Sequence, residues 1–346
     1  MARVVVAGAG AGGASIAYHL ALLGAREVVL CDRAEIASGA TGKAMGGFRQ
    51  QFSTEAEVRL AQESAKLFRE LGPPLFEAVG YMFVATTDDG WERLRARADM
   101  QRSLGVDVEE ADPSRFRGLQ TADVVGAVAC WSDGVAEPAE ITWELVRRAA
   151  ERGVDVREHT EAREVDRDVL VIACGASSPE LCAQLPIRPL VRQLVDVGPV
   201  DGLPADLPMT VEEETGFHFR RRGDTLRLAM TERKPRWSER EEVDEALVGD
   251  WRARLAHRYP PAAGAPIVRA WAGLYDMTPD AHPIIGWISD GVYAACGFSG
   301  HGFMQSPAVG RAVAEELLGR ESRVDLTPYR LERFSGDEMF PETLVL

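Results

Sequence analysis

The opening run Arg3-Val4-Val5-Val6-Ala7-Gly8-Ala9-Gly10-Ala11-Gly12-Gly13, followed by an alanine-rich segment and then Val28-Val29-Leu30-Cys31-Asp32, leaves few folds open. A β-branched stretch asks for a sheet, and Gly8-x-Gly10-x-x-Gly13 turns the chain sharply from strand into helix. Gly8 permits the tight turn, Gly10 lets backbone approach a pyrophosphate, and Gly13 lets helix and strand pack closely. Unpaired N–H groups at the helix start, Ala11 among them, attract phosphate charge. Asp32 closes the second apolar run where a carboxylate takes ribose hydroxyls, at a spacing from Gly8 close to the ~20 residues such units use. The stretch therefore predicts a dinucleotide-binding βαβ unit.

At 346 residues the chain exceeds the size at which one core keeps growing, so two associated domains are expected. A net charge of −15 repels nucleic acid and anionic membrane, which removes both as general partners. Cys31, Cys130, Cys174, Cys182 and Cys296 are scattered without a CxxC pair, which points to free thiols in a reducing compartment and to no metal site. The first strand leaves no room for a signal peptide and no apolar run is long enough to span a bilayer, so a cytoplasmic location without membrane insertion is expected.

Beyond Asp32, the small and hydroxylated stretch from Ser38 to Phe52 reads as a loop pressed against a ligand. Helices are expected over residues 54–71, from about 89, over 140–152, 239–259 and 306–318. Residues 80–87 and 126–131 read as strands, 154–156 as a short strand, and 168–174 as an apolar strand that rejoins the nucleotide sheet in parallel. Between Leu190 and Met230 the alternation suits an antiparallel sheet with one covered face. A second strand, glycine loop and helix follows at Val292-Tyr293-Ala294-Ala295-Cys296-Gly297-Phe298-Ser299-Gly300-His301-Gly302-Phe303-Met304. Two such loops can hold a long ligand at both ends.

Together these stretches resemble the FAD-dependent amine and amino-acid oxidoreductases of the D-amino acid oxidase, sarcosine oxidase and glycine oxidase type. The resemblance is carried by the first glycine loop with Asp32, by Ser38-Gly39-Ala40-Thr41-Gly42-Lys43 and Gly47-Phe48-Arg49-Gln50-Gln51-Phe52, by Ala173-Cys174-Gly175-Ala176, by Trp271-Ala272-Gly273-Leu274-Tyr275 with Thr278-Pro279-Asp280, and above all by Gly297 to Phe303. The wording is most similar to the β subunits of sarcosine oxidase and dye-linked proline dehydrogenase. The fold implied is α/β and α+β: a Rossmann-like FAD-binding domain of the glutathione-reductase type with an inserted mixed or antiparallel-sheet substrate domain. That division gives 1–80, 140–185 and 280–346 to FAD, and 81–139 and 186–279 to substrate.

The reaction implied is oxidation of a C–N bond in a small amine or amino acid, a secondary amine such as an N-methyl or cyclic amino acid being favoured, with hydride passing to the flavin and an imine formed. The expected cofactor residues are Gly8, Gly10, Ala11, Gly13, Asp32, Arg33, Thr41, Gly42, Lys43, Gly46, Gly47, Cys174, Gly175, Gly273, Gly300, His301, Gly302, Phe303 and Met304. The resemblance gives Arg49 to a substrate carboxylate, for which a guanidinium fork is suited. It sets Tyr275 on the pocket wall, where a core tyrosine is the competing reading, and gives His301 either a structural or a proton-transfer role. His218 and His282 are read as structural.

Three departures bear on the chemistry. Gly273 stands where some relatives carry the cysteine that bonds the flavin, so non-covalent FAD is expected; Met304 replaces a lysine that contacts substrate carboxylate; Arg227 stands near an oxygen-activating lysine. The acceptor, O2 or another, is left open, as is assembly with copies of itself or with another chain. A flavin-binding subunit without independent activity is the alternative, and an NAD-dependent dehydrogenase trails because it gives the second glycine loop no task.

Overall fold

The computed structural model describes residues 2–336 and 341–346; residues 1 and 337–340, included above in the expected FAD domain, lie outside the described residues. The strand Val4–Ala7 is buried along its whole length, as its all-apolar sequence requires of a strand covered on both faces. It pairs in parallel with Val28–Cys31 on one side and Val169–Ile172 on the other. Asp155–Arg157, Val292–Cys296 and Ile284–Ser289 complete a six-stranded sheet, the last of these antiparallel. The helix Ala11–Leu22 lies against the helices Gly302–Leu317 and Pro138–Ala150. The starts of the first and last helices, each following a glycine loop, thus meet on one sheet.

A second, nine-stranded sheet holds Tyr81–Ala85, Glu109–Glu110, Gly126–Cys130, Arg188–Val197, Met209–Glu212, His218–Arg222, Thr225–Ala229, Arg236–Trp237 and Ile267–Met277. Most pairings are antiparallel, but Met209–Glu212 runs parallel to Tyr81–Ala85, so the sheet is mixed. A small three-stranded sheet joins Gly47–Phe48, Phe76–Glu77 and Gly134–Ala136.

Most element boundaries match the sequence expectations, and two move. The helix expected over 239–259 begins only at Glu245, because the Asp244 carboxylate accepts N–H bonds from Ala246 and Leu247 and caps it there. Upstream, Glu241 pairs with Lys43 rather than joining a helix. The last helix begins at Gly302, a turn earlier than expected, and so contains Pro307. Proline has no N–H for the Phe303 carbonyl; the Ser306 hydroxyl donates to it instead, at 2.9 Å.

Candidate active site

Between the two sheets runs a cavity of about 1150 Å³, lined from Asp32 at one end to Tyr275, His301 and Met304 at the other. At the first end, Asp32 binds the backbone of its own βαβ unit. Its Oδ2 accepts the Ala9 N–H at 2.7 Å and its Oδ1 the Ala34 N–H at 2.9 Å, which fixes the glycine loop to the second strand and leaves further lone pairs for a ligand. Gly8 has φ +101°, and a Cβ there would lie 2.4 Å from the Ala173 carbonyl oxygen. The Thr41 hydroxyl accepts the Ala11 N–H at 3.0 Å, while the remaining first-turn N–H groups have no intrahelical carbonyl to bond. Arg33 is held by Glu180 and Ser177 at the rim. Burial pushes the Cys174 thiol up to about 12, so it stays protonated as it donates to the Ala7 carbonyl.

At the other end, the loop from Gly297 to His301 is tied down by a residue that the sequence did not flag. The Asp276 carboxylate accepts the N–H groups of Gly297, Phe298 and Ser299 at 2.8, 3.0 and 3.1 Å. Burial raises its pKa to about 6 even though three amide donors favour the anion. Gly300, at φ +96°, lies so close to Tyr275 that a Cβ would meet the ring at 2.2 Å. Tyr275 is half-buried; desolvation raises the pKa of its phenol, whose hydroxyl donates to the main-chain oxygen of Leu346 at 2.8 Å.

Arg49 reaches the same cavity but is only 1% exposed. One Nη donates to the Gln51 carbonyl at 2.9 Å and the other to the Leu344 carbonyl at 2.7 Å, while Nε has no partner. Its segment is fixed by Asp133, which accepts from the Gln50 backbone and side chain and from the Gln51 amide; burial raises that carboxyl to about 6. His301 Nε2 stands 3.3 Å from both Arg49 and the Leu344 oxygen, and Nδ1 is buried without a partner. Burial, reinforced by the Arg49 charge, drives the imidazole down to about 3 and keeps it neutral.

Of the expected site residues, all line this cavity except Gly13 and Gly42, which pack behind it: a Cβ would strike the Gly8 and Ala37 carbonyl oxygens respectively. The cavity also takes in His218, Arg192 and Leu346, none of which was expected. His218 bonds the Gly216 carbonyl through Nδ1 and is pushed down to about 4 by burial. Arg227 is placed elsewhere. Its guanidinium is locked onto Asp196 by two bonds of 2.9 and 3.0 Å and is not among the cavity-lining residues described. Among the described residues, no group of three or more His, Cys, Asp or Glu could hold a metal, and no helix is long and apolar enough to cross a membrane.

A cavity with a glycine loop and a helix start at one end and a second glycine loop at the other fits FAD, and the contacts of Gly8 with the Ala173 carbonyl and of Gly300 with the Tyr275 ring show why these positions cannot carry side chains. The comparisons agree. The chain is 28% identical over 424 residues to the FAD-dependent oxidoreductase domain-containing protein 1 of Bos taurus, covering 99% of this chain and 87% of that one. It is 24% identical over 383 residues to the sarcosine oxidase subunit beta of Arthrobacter sp, covering 98% and 92%. The L-proline dehydrogenase from P. horikoshii superposes with a TM-score of 0.91 at 26% identity, covering 98% of this chain and 99% of that one. A model described as DAO, FAD dependent oxidoreductase, matches residues 3–316, and the chain belongs to that family of FAD-dependent oxidoreductases.

Proposed function

We propose that this enzyme oxidises the C–N bond of a small amine or amino acid, favouring a secondary amine such as an N-methyl or cyclic amino acid. The observation that carries the reading is the joining of the two glycine loops by one cavity that ends on Tyr275, His301 and Arg49. The likeness to a sarcosine oxidase subunit and a proline dehydrogenase, both named for amines, supports it. FAD, when bound, accepts the hydride from the carbon beside the amine nitrogen, and the imine left behind can be hydrolysed by water.

The chain's own residues set the conditions. Residues 1–80, 140–185 and 280–346 hold the cofactor, with Asp32 on the ribose and the N–H groups after Gly10 on the phosphates. The start of the helix Gly302–Leu317 presents positive dipole beside the second loop, suited to charge gathering on a reduced ring. His301 is neutral, so it accepts or donates a hydrogen bond without carrying charge. The Arg49 cation disfavours an ammonium nearby and so favours the free amine, the form whose lone pair assists loss of hydride. Gly273 offers no side-chain atom for a bond to the flavin, and acid precipitation is expected to release all yellow colour into solution. Colour left on the pellet would refute that.

Arg227 is bound to Asp196 and so is not free to take the role of the oxygen-activating lysine it stands near in sequence, which supports a dehydrogenase using an acceptor other than O2. The relation to a subunit favours a second reading, in which turnover needs a partner chain. Anaerobic addition of N-methyl and cyclic amino acids to the purified FAD-loaded chain separates these. Bleaching by one of them supports independent oxidation, no bleaching by any amine overturns it, and fast recolouring in air would make the enzyme an oxidase.

A further inference from the structure

The guanidinium of Arg192 stands out once the partners of the cavity's cations are compared. Arg49 gives both Nη groups to backbone carbonyls. Arg33 is bound to Glu180, Arg163 to the Glu180 carbonyl, and Lys43 to Glu241. Arg192 lines the same cavity, yet its Nε and Nη1 are buried with no hydrogen-bond partner, and among the described residues it has no ion-pair partner. Buried donors of a half-buried cation left without partners are costly, and an anion delivered by a ligand offsets that cost.

Strand pairing explains how the group comes to face the site. Arg192 lies in Arg188–Val197 directly opposite Gly273 of Ile267–Met277, the glycine over which the Lys43 side chain packs. Its guanidinium carbon sits 5.5 Å from the centre of the Tyr275 ring, which restrains it over the aromatic wall. The same Tyr275 contacts the position of Gly300 in the second glycine loop, so Arg192 stands one ring away from that loop.

We propose that Arg192 is the anchor for a substrate carboxylate, which makes the substrate an amine that carries a carboxylate, not a plain alkylamine. The inference rests on the amine-oxidising reading of the cavity. It assigns specificity to a residue opposite Gly273, where the Arg49 fork is already occupied. Arginine suits the task because two parallel N–H groups match the two oxygens of a carboxylate.

The test is a titration of the FAD-loaded wild type, Arg192→Leu and Arg192→Lys with pyrrole-2-carboxylate and with its neutral carboxamide, read from the shift of the flavin absorption band. The wild type is expected to prefer the carboxylate. Arg192→Leu should weaken the carboxylate by about 100-fold, the loss of a paired charged contact, with little change for the carboxamide. Arg192→Lys should fall between. Three results overturn the proposal: a wild type indifferent to the carboxylate, an Arg192→Leu protein that keeps the preference, or one that loses FAD instead, which would make Arg192 a cofactor residue. Reduction by amines is read separately. A carboxylate preference without bleaching sinks the oxidation reading alone, and bleaching without the preference sinks only the anchor.

Discussion

Asp276 illustrates how single buried carboxylates govern this site. Its three amide contacts set the path of the second glycine loop, and each bond to a charged acceptor contributes about 1.5–3 kcal/mol. Asn in its place keeps one acceptor oxygen and adds a donor facing N–H groups. Asp276→Asn is therefore expected to lower FAD affinity by about 10- to 100-fold, measured by reconstituting apoprotein with FAD. Unchanged affinity would show that the loop holds its shape without the carboxylate. The buried histidines set a pH dependence of opposite origin to that of the buried acids. Burial lowers His19 and His218 to about 4 and His301 to about 3. Their folded pKa values lie below the unfolded one, so as pH falls the unfolded chain takes the proton first. Their stability is complete above pH ~6.5 and is lost toward pH ~4. Asp133 and Asp276, raised to about 6, work the other way and add stability as pH falls below that point. Glu57, raised by burial too, joins these acids, so the drop in urea stability that the histidines cause between pH ~7 and ~5 is isolated by a variant. His218→Asn, which keeps a donor for Gly216, should make the drop smaller by up to about 2 kcal/mol. An equal drop in the variant would refute the assignment to His218.

At the scale of elements, the segment 341–346 is the piece that most changes the site. Glu342 accepts from the Ser53 backbone and hydroxyl, and the oxygens of Leu344 and Leu346 take the donors of Arg49 and Tyr275. None of these six residues belongs to any of the three sheets, although Leu344 and Leu346 pack against the core cluster that holds Tyr81 and Met209. Deleting 341–346 should free Arg49 as a second anion contact and tighten pyrrole-2-carboxylate by about tenfold, read from the same flavin band. Weaker binding would mean that the segment builds the pocket and does not compete for it. Such contacts were beyond the sequence. The βαβ unit and the loop from Gly297 to Phe303 were legible because their glycines serve local turns whose spacing is fixed within a few residues. The opposition of Arg192 to Gly273 depends on the register of strands about eighty residues apart. The reach of Asp276 to Gly297, and of Leu344 to Arg49, likewise depends on how distant elements meet. Arg227 shows the converse: its approximate alignment with an oxygen-activating lysine suggested a role, and a partner on the neighbouring strand, Asp196, took it away.

For the whole molecule, the charge balance and the site pull a carboxylate in opposite directions. The net charge is −15, yet the inner wall of the cavity carries Arg49 and Arg192, with Glu239 and Glu241 also lining it. A chain of this length has a radius of gyration of about 20 Å. At ~10 mM salt the screening length is about 30 Å, so an approaching anion feels the full negative charge of the molecule. At ~150 mM it is about 8 Å, and only charges near the mouth of the cavity act. Contacts inside are buried and screened far less. Added salt is therefore expected to speed association of pyrrole-2-carboxylate by about two- to tenfold, with little effect on its dissociation. Stopped-flow mixing with the FAD-loaded protein measures both rates, and the neutral carboxamide serves as the control that salt should leave unchanged. If salt instead slows association of the carboxylate, the field at the cavity mouth is already positive, and the two arginines steer the anion from outside as well as holding it within.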